Sequence, residues 1–252
     1  MRIVAIIPAR LRSTRLANKL ILDIAGKPMI QHVFERVRQS EKIDDIYIAT
    51  DSDRIARTCA PFTDNVVMTS PHHTSGTDRI VEALDSITCD GVINVQGDEP
   101  MVDPALIDDL ADGLRGNEVP MLSAMHRIER FEELIDPNNV KVTVGGDNIA
   151  LYFSRSVIPY VREGWDRLEE QPKIPQEVNF YKHIGIYAYT AELLRRFRDW
   201  SSGYLETMEK LEQLRVLERG VSIKMLLTRY NSIGVDTRED LEKVKTLLTT
   251  YG

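Results

Sequence analysis

The chain has 252 residues, 42% hydrophobic and 28% charged, with a net charge of −7. That is enough apolar material for a full core in one large domain, or in a domain with a sizeable insertion. No apolar run approaches the roughly 20 residues of a membrane span, and the short N-terminal apolar stretch runs into arginines with no cleavage-like site, so neither membrane insertion nor secretion is expected. The acidic balance argues against nucleic acid as a main partner. Two cysteines, Cys59 and Cys89, cannot build a disulfide scaffold or a zinc site alone, which makes a reducing cytoplasm the expected compartment.

Residues 3–7 form a continuous apolar run, too short for a helix and ended by Pro8, and read as a buried strand. Met29, Ile30, Val33, Phe34 and Val37 recur at helical spacing behind Pro28, which suits a first helical turn. Strands at 46–49 and 66–69 bracket a short helix at 53–60. A helix at 78–87 carries Ile80, Val81, Leu84 and Ile87 on one face; a strand at 91–96 and a helix at 104–114 follow. This alternation is the pattern of an α/β fold with a mostly parallel, doubly wound sheet.

The rhythm then breaks. Residues 140–144 and 149–153 flank Gly145-Gly146-Asp147-Asn148 and read as a hairpin. The polar stretch 156–179, with Pro159, Pro172 and Pro175, reads as an excursion loop. A strand is expected at 183–189, helices at 191–200 and 205–219, and a late strand at 223–227. Gly220 stops the second of those helices, and a closing helix at 237–248 takes Thr237 as its N-cap. With no repeat or linker in view, one domain is expected, carrying an inserted subregion at about 120–190.

Between Ala9 and Lys19 the chain places Arg10, Arg12, Arg15 and Lys19 with no acidic residue, and adds the hydroxyls of Ser13 and Thr14. Four cations in one loop repel one another. The loop is either a solvated basic turn or an anion site, and its place directly after a buried first strand favours a polyphosphate. Neither the P-loop spacing nor the dinucleotide-binding glycine pattern is present, so side chains rather than a glycine cradle would hold the phosphates, and a pyridine-nucleotide dehydrogenase is set aside. Asp98 follows an apolar strand, between Gly97, which permits close backbone approach, and Pro100, which stops pairing. A carboxylate there is either a turn residue or a ligand for a hard cation such as Mg²⁺.

Several segments, in order along nearly the whole chain, carry a resemblance. They are Ile6-Ile7-Pro8-Ala9-Arg10, Ser13-Thr14-Arg15-Leu16 with Lys19, and Gly26-Lys27-Pro28-Met29-Ile30-Gln31-His32-Val33. Then come Thr50-Asp51, Met68-Thr69, Ser75-Gly76-Thr77-Asp78-Arg79 and Asn94-Val95-Gln96-Gly97-Asp98-Glu99-Pro100. Leu151-Tyr152-Phe153-Ser154-Arg155, His183-Ile184-Gly185-Ile186-Tyr187, Leu211-Glu212-Gln213-Leu214-Arg215 and Gly234-Val235-Asp236-Thr237 complete the series. Together they resemble the 3-deoxy-manno-octulosonate (Kdo) cytidylyltransferase family, sugar nucleotidyltransferases of lipopolysaccharide biosynthesis. One departure stands out: where the family usually has Arg-Leu-Pro-Gly-Lys-Pro-Leu, this chain has Arg15-Leu16-Ala17-Asn18-Lys19-Leu20-Ile21.

The resemblance implies that CMP passes from CTP to the anomeric hydroxyl of Kdo, with Mg²⁺ as cofactor and a homodimer as the assembly. It implies catalytic roles for Arg10, Lys19 and Asp98, with Asp98 and Asp236 on the metal. It places nucleotide on Ala9, Arg10, Arg15, Lys19, Met68, Thr69, Ser75, Gly76, Arg79 and Gly97. The residues alone leave the stretch from Ser75 to Arg79 open between a plain helix cap and a ligand site. A sugar acid needs a cation and several neutral polar groups. Gln96, Arg155, His183 and Tyr187 supply those types, His183 and Tyr187 sharing a strand face four residues apart. Glu212 and Gln213 fall with Glu209 on one helical face, solvated by default, and only the resemblance promotes them. Three alternatives stay open: a modified (8-amino) Kdo as acceptor, another acidic sugar, or a regulatory protein that binds nucleotide without turnover.

Overall fold

The computed structural model describes residues 1–11, 16–73, 75–116, 118–163, 165, 173–174, 177–231 and 233–251. In chain order the elements begin with β1 (Ile3–Ala9), β2 (Asp23–Ile24), β3 (Lys27–Pro28), α1 (Met29–Val37), β4 (Asp45–Thr50) and α2 (Asp53–Cys59). They continue with β5 (Val66–Met68), α3 (Gly76–Ala83), β6 (Gly91–Asn94), α4 (Pro104–Arg115), β7 (Met121–Arg127) and α5 (Phe131–Ile135). Then follow β8 (Lys141–Val144), β9 (Ala150–Ser154), β10 (Tyr181–Thr190), α6 (Ala191–Phe197), α7 (Tyr204–Glu209), α8 (Gln213–Glu218), β11 (Ile223–Leu227) and α9 (Arg238–Tyr251). The chain divides into two compact units. One comprises Met1–Gly116, Ile186–Arg198 and Ser232–Gly252, the other Asn117–Gly185 and Asp199–Asn231. The subregion expected at about 120–190 falls largely in the second, which also takes in the later segment.

In the first unit β1 is central because both of its faces are apolar: Ile3 through Ile7 are fully buried. It pairs in parallel with β4 on one side and β6 on the other; β5 extends the sheet beyond β4, and the second half of β10 runs antiparallel to β6. The register sets Ala9 beside Thr50 and Thr50 beside Met68, so the carboxyl ends of three parallel strands form one edge. That edge is where open α/β sheets take ligands. Most of the expected helices form, and several use the caps their sequences offer: the side chains of Ser52, Ser75, Asp103 and Thr190 accept backbone N–H groups at the starts of α2, α3, α4 and α6. A two-residue turn, Ala25-Gly26, with φ of 50° and 84°, closes the β2–β3 hairpin, which periodicity did not reveal.

In the second unit β7 and β11 pair in parallel, β8 and β9 form the expected hairpin, and the first half of β10 runs antiparallel to β8. Ile128, Phe131, Leu134, Ile174 and Phe180 make a small core against which Val157, Val161, Trp165 and Val178 pack. The stretch read as an excursion loop therefore carries apolar anchors of its own. The single helix expected at 205–219 is two. Lys210 takes a left-handed conformation, φ 56°, and ends α7; α8 begins at Gln213. Glu209 and Glu212 thus do not share one helical face with Gln213. A buried bidentate pair, Arg215 to Glu206 at 2.7 and 2.5 Å, ties the two short helices together.

Candidate functional site

Arg10 is exposed at the end of β1, directly after the buried Ala9. Lys19 opens a short 3₁₀ turn, Lys19–Ile21. Asn18 before it is left-handed, φ 55°, and its carbonyl accepts the Ile21 N–H at 3.0 Å. Glycine enters that conformation freely, and asparagine tolerates it better than most residues. The Asn18 departure from the family pattern therefore sits where the backbone still suits it. Leu20 is buried against Gly97: a Cβ on Gly97 would lie 3.3 Å from Leu20 Cδ2 and 3.2 Å from the Pro8 carbonyl. Arg12, Ser13, Thr14 and Arg15 lie outside the described residues.

Two chain segments far apart in sequence meet at Lys19. The Val235 N–H donates to the Asp98 carbonyl at 2.9 Å, which brings Asp236 beside Asp98. The Lys19 ammonium donates to Asp98 Oδ2 at 2.5 Å, to Asp236 Oδ1 at 2.9 Å and to the Val235 carbonyl at 3.1 Å. Burial alone would push its pKa down, but the two carboxylates outweigh that and hold the ammonium above its ordinary value. The segment bearing Asp236 is itself fixed by Asp240. Its carboxylate accepts the N–H groups of Asp236 and Thr237 and the Thr237 hydroxyl, while Thr237 caps the Asp240 N–H. The sequence gives a sign of this, since Thr237 followed three residues later by Asp240 has the spacing of a capping box.

At the ends of β4 and β5 lies a second cluster. Met68 is half exposed and Thr69 buried. Arg79, 2% exposed, donates through Nη1 to Thr69 Oγ1 at 2.5 Å and sets Nη2 3.3 Å from Asp51 Oδ2. Its guanidinium thus holds two strand ends to α3. Asp51 is its carboxylate partner. Ser75 Oγ accepts the Asp78 N–H at 3.1 Å, and a Cβ on Gly76 would meet Pro8 Cγ at 3.3 Å, so α3 starts tight against the end of β1. Gln96 donates to Asn94 Oδ1 at 3.2 Å. Tyr187, on the part of β10 in this unit, is half-buried between the buried Ile186 and Ala188.

The remaining sugar-acid candidates belong to the second unit. His183 is held from both ring nitrogens: Nε2 lies 2.9 Å from Ser123 Oγ, and Gln213 Nε2 is 3.4 Å from Nδ1. Ser123 Oγ in turn donates to the Ile184 carbonyl at 3.2 Å, which fits an Nε2–H tautomer donating to that hydroxyl. Burial pushes the His183 pKa down to about 3, so the ring is neutral. The edge of His183 meets Phe153 with centroids 5.0 Å apart. Ser123 was missed by sequence reasoning; its signal is a lone hydroxyl inside the apolar run from Met121 to Met125. Arg155 is already engaged, donating through Nε to the Glu209 carbonyl and through Nη1 to the Pro137 carbonyl, each at 2.9 Å. The Glu209 carboxylate accepts from Ser154 Oγ and the Arg155 N–H. Glu212 precedes α8 and Gln213 opens it, the latter buried.

A family model described as cytidylyltransferase matches residues 4–223. A 3-deoxy-manno-octulosonate cytidylyltransferase from Geotalea uraniireducens is 44% identical over 245 residues, 97% of this chain and 98% of that one. Its counterpart from Haemophilus influenzae is 44% identical over 252 residues, covering 98% and 99%. A solved structure of CMP:2-keto-3-deoxy-manno-octonic acid synthetase complexed with CTP superposes with a TM-score of 0.91 at 38% identity, covering 99% of both chains. At 17% identity and a TM-score of 0.69, a putative glucose-1-phosphate thymidylyltransferase from Bacillus anthracis shares the fold over 99% of this chain and 96% of its own. On the extent and identity of these matches, the chain belongs to the 3-deoxy-manno-octulosonate cytidylyltransferase family.

Proposed function

We propose that this chain transfers CMP from CTP to the anomeric hydroxyl of 3-deoxy-D-manno-octulosonate. The hydroxyl oxygen bonds to the α-phosphorus, the bond from that phosphorus to the bridging oxygen breaks, and pyrophosphate leaves with its electron pair. The observation that carries this reading is the meeting of Lys19, Asp98 and Asp236 beside the carboxyl end of β1, in a chain of this family. Nucleotidyl transfer needs in-line placement and charge neutralisation more than a protein nucleophile. Arg10 and Lys19 bind the triphosphate and offset charge on the departing pyrophosphate. The strand ends at Met68 and Thr69, braced by Arg79, form the side of the site for the cytosine, with Ser75 and Gly76 at the α3 start. By family resemblance the candidates for the sugar acid are Gln96 and Tyr187 in the first unit, and Arg155, His183, Glu212 and Gln213 in the second. A neutral His183 offers hydrogen bonds without a competing charge.

The donor set suits magnesium. Two carboxylates whose oxygens reach one ammonium, beside a loop of phosphate-binding character, are the ligands a hard dication takes together with phosphate oxygens. Asp98 and Asp236 would hold it, and when bound it would polarise the α-phosphate and acidify the attacking hydroxyl. A cytoplasmic homodimer belongs to the same proposal on family resemblance, and sedimentation analysis tests the assembly. For the reaction, pyrophosphate release is measured with CTP, ATP, GTP and UTP against Kdo, 8-amino-Kdo and a sialic acid, with Mg²⁺. CTP with Kdo is expected to give the highest kcat/KM. No release from CTP with any of these acids overturns the enzymatic reading.

A further inference from the structure

A positive charge already stands between the two carboxylates assigned to the metal. An ammonium has three protons to donate, and those of Lys19 face three acceptors: Asp98 Oδ2, Asp236 Oδ1 and the Val235 carbonyl. The Lys19 side chain is 13% exposed, against 29% for Asp98 and 42% for Asp236, so the cation is the most deeply set of the three. Two carboxylates drawn together by the backbone bond from Val235 to Asp98 repel each other unless a cation sits between them. Lys19 fills that role here. The same ammonium is the group assigned to the triphosphate, and with its three donors directed at these acceptors it must give up at least one of them to reach a phosphate.

The geometry points to Lys19 as a surrogate cation: without nucleotide its ammonium occupies the Asp98–Asp236 pair and competes with a divalent ion, and the triphosphate draws it off as the ion enters. The inference rests on the reading of Asp98 and Asp236 as metal ligands and of Lys19 as a phosphate ligand. Its consequence is coupling. Nucleotide raises metal affinity beyond what its phosphate oxygens contribute, and by linkage metal raises nucleotide affinity by the same factor. A cation then stands at the pair throughout the exchange, +1 from the ammonium or +2 from the ion, so neither state leaves two bare carboxylates facing each other.

The test needs no turnover. Mn²⁺ binding is measured by the loss of its free-ion paramagnetic resonance signal, with Mn²⁺ as the sole metal. Wild type, Lys19→Met, Lys19→Gln, Asp98→Asn and Lys19→Met/Asp98→Asn are compared, first without nucleotide and then with CTP against a protein-free CTP control, with circular dichroism as the folding check. Lys19→Met is expected to bind Mn²⁺ at least tenfold more tightly than wild type, and Asp98→Asn in the same chain to abolish the gain. Lys19→Gln, which keeps a neutral donor toward the carboxylates, gives the same comparison should the methionine variant fail to fold. Added CTP is expected to raise Mn²⁺ affinity more in wild type than in either lysine variant. Equal or weaker Mn²⁺ binding by the neutral variants overturns the inference. With CTP present, loss of Mn²⁺ binding in Asp98→Asn alone would leave the metal reading standing in that event; unchanged binding there removes the metal reading itself.

Discussion

Replacing Arg79 with methionine asks whether this buried cation braces the strand ends or touches the nucleotide. Methionine keeps much of the aliphatic stem but removes the donor to Thr69 Oγ1 and the charge opposite Asp51. What remains is a mostly buried carboxylate without its cation, whose Oδ1 already has no hydrogen-bond partner among the described residues. Removing one partner of a buried pair costs about 3–5 kcal/mol. Asp51 retains 20% of its side-chain exposure, so water recovers part of the loss and the lower end applies, about 3 kcal/mol. For a chain of this size that corresponds to a fall in Tm of roughly 6–12 °C. Urea denaturation followed by circular dichroism measures it. Arg79→Met/Asp51→Asn should recover most of the loss, because an amide leaves no buried charge behind. KM for CTP should rise only moderately, through a loosened Thr69. A loss of stability under about 1 kcal/mol with a large rise in KM would refute the brace and return Arg79 to direct nucleotide contact.

Asp98→Asn and Asp236→Asn should each lower kcat/KM at least about a hundredfold with the fold intact, and the double variant should lose far less than the product, since both act at one charge site; full additivity in steady-state assays contradicts this. Hydrogen bonds from Thr237 and Asp236 outweigh burial and hold the Asp240 carboxyl below its ordinary value of 3.8. Its stabilisation is therefore present above that value and lost as pH falls through the lowered one, so Asp240→Asn should flatten the acid limb of stability against pH; an unchanged limb removes Asp240 as its source. Ser123→Ala should raise KM for the sugar acid about fivefold, one hydrogen bond's worth, with kcat little changed. Nitrogen NMR of His183 should show loss of the Nε2–H form, and an unaltered tautomer signal would count against Ser123 as its anchor.

Where a residue's neighbours in sequence set its environment, the sequence alone determined the outcome. The five-residue apolar run before Pro8 became the body of β1, which continues through Pro8 to Ala9, because a stretch with no polar side chain is buried on both faces. Ser75 and Ser52 cap helices because a hydroxyl there reaches an N–H three residues on. The family, too, was legible, since its motifs are local. Long-range choices were not. β7 exists because 121–127 pairs with β11 about a hundred residues later, an energy that no local window contains. The helix read through 205–219 has unbroken periodicity, yet a left-handed Lys210 divides it and Arg215 closes back on Glu206. Sequence named Lys19, Asp98 and Asp236 as parts of one site but set the lysine toward phosphate. Only the packing of segments 79 and 217 positions away from Lys19 put its ammonium between the two carboxylates, where opposite charges at hydrogen-bond distance outweigh the burial of the ammonium.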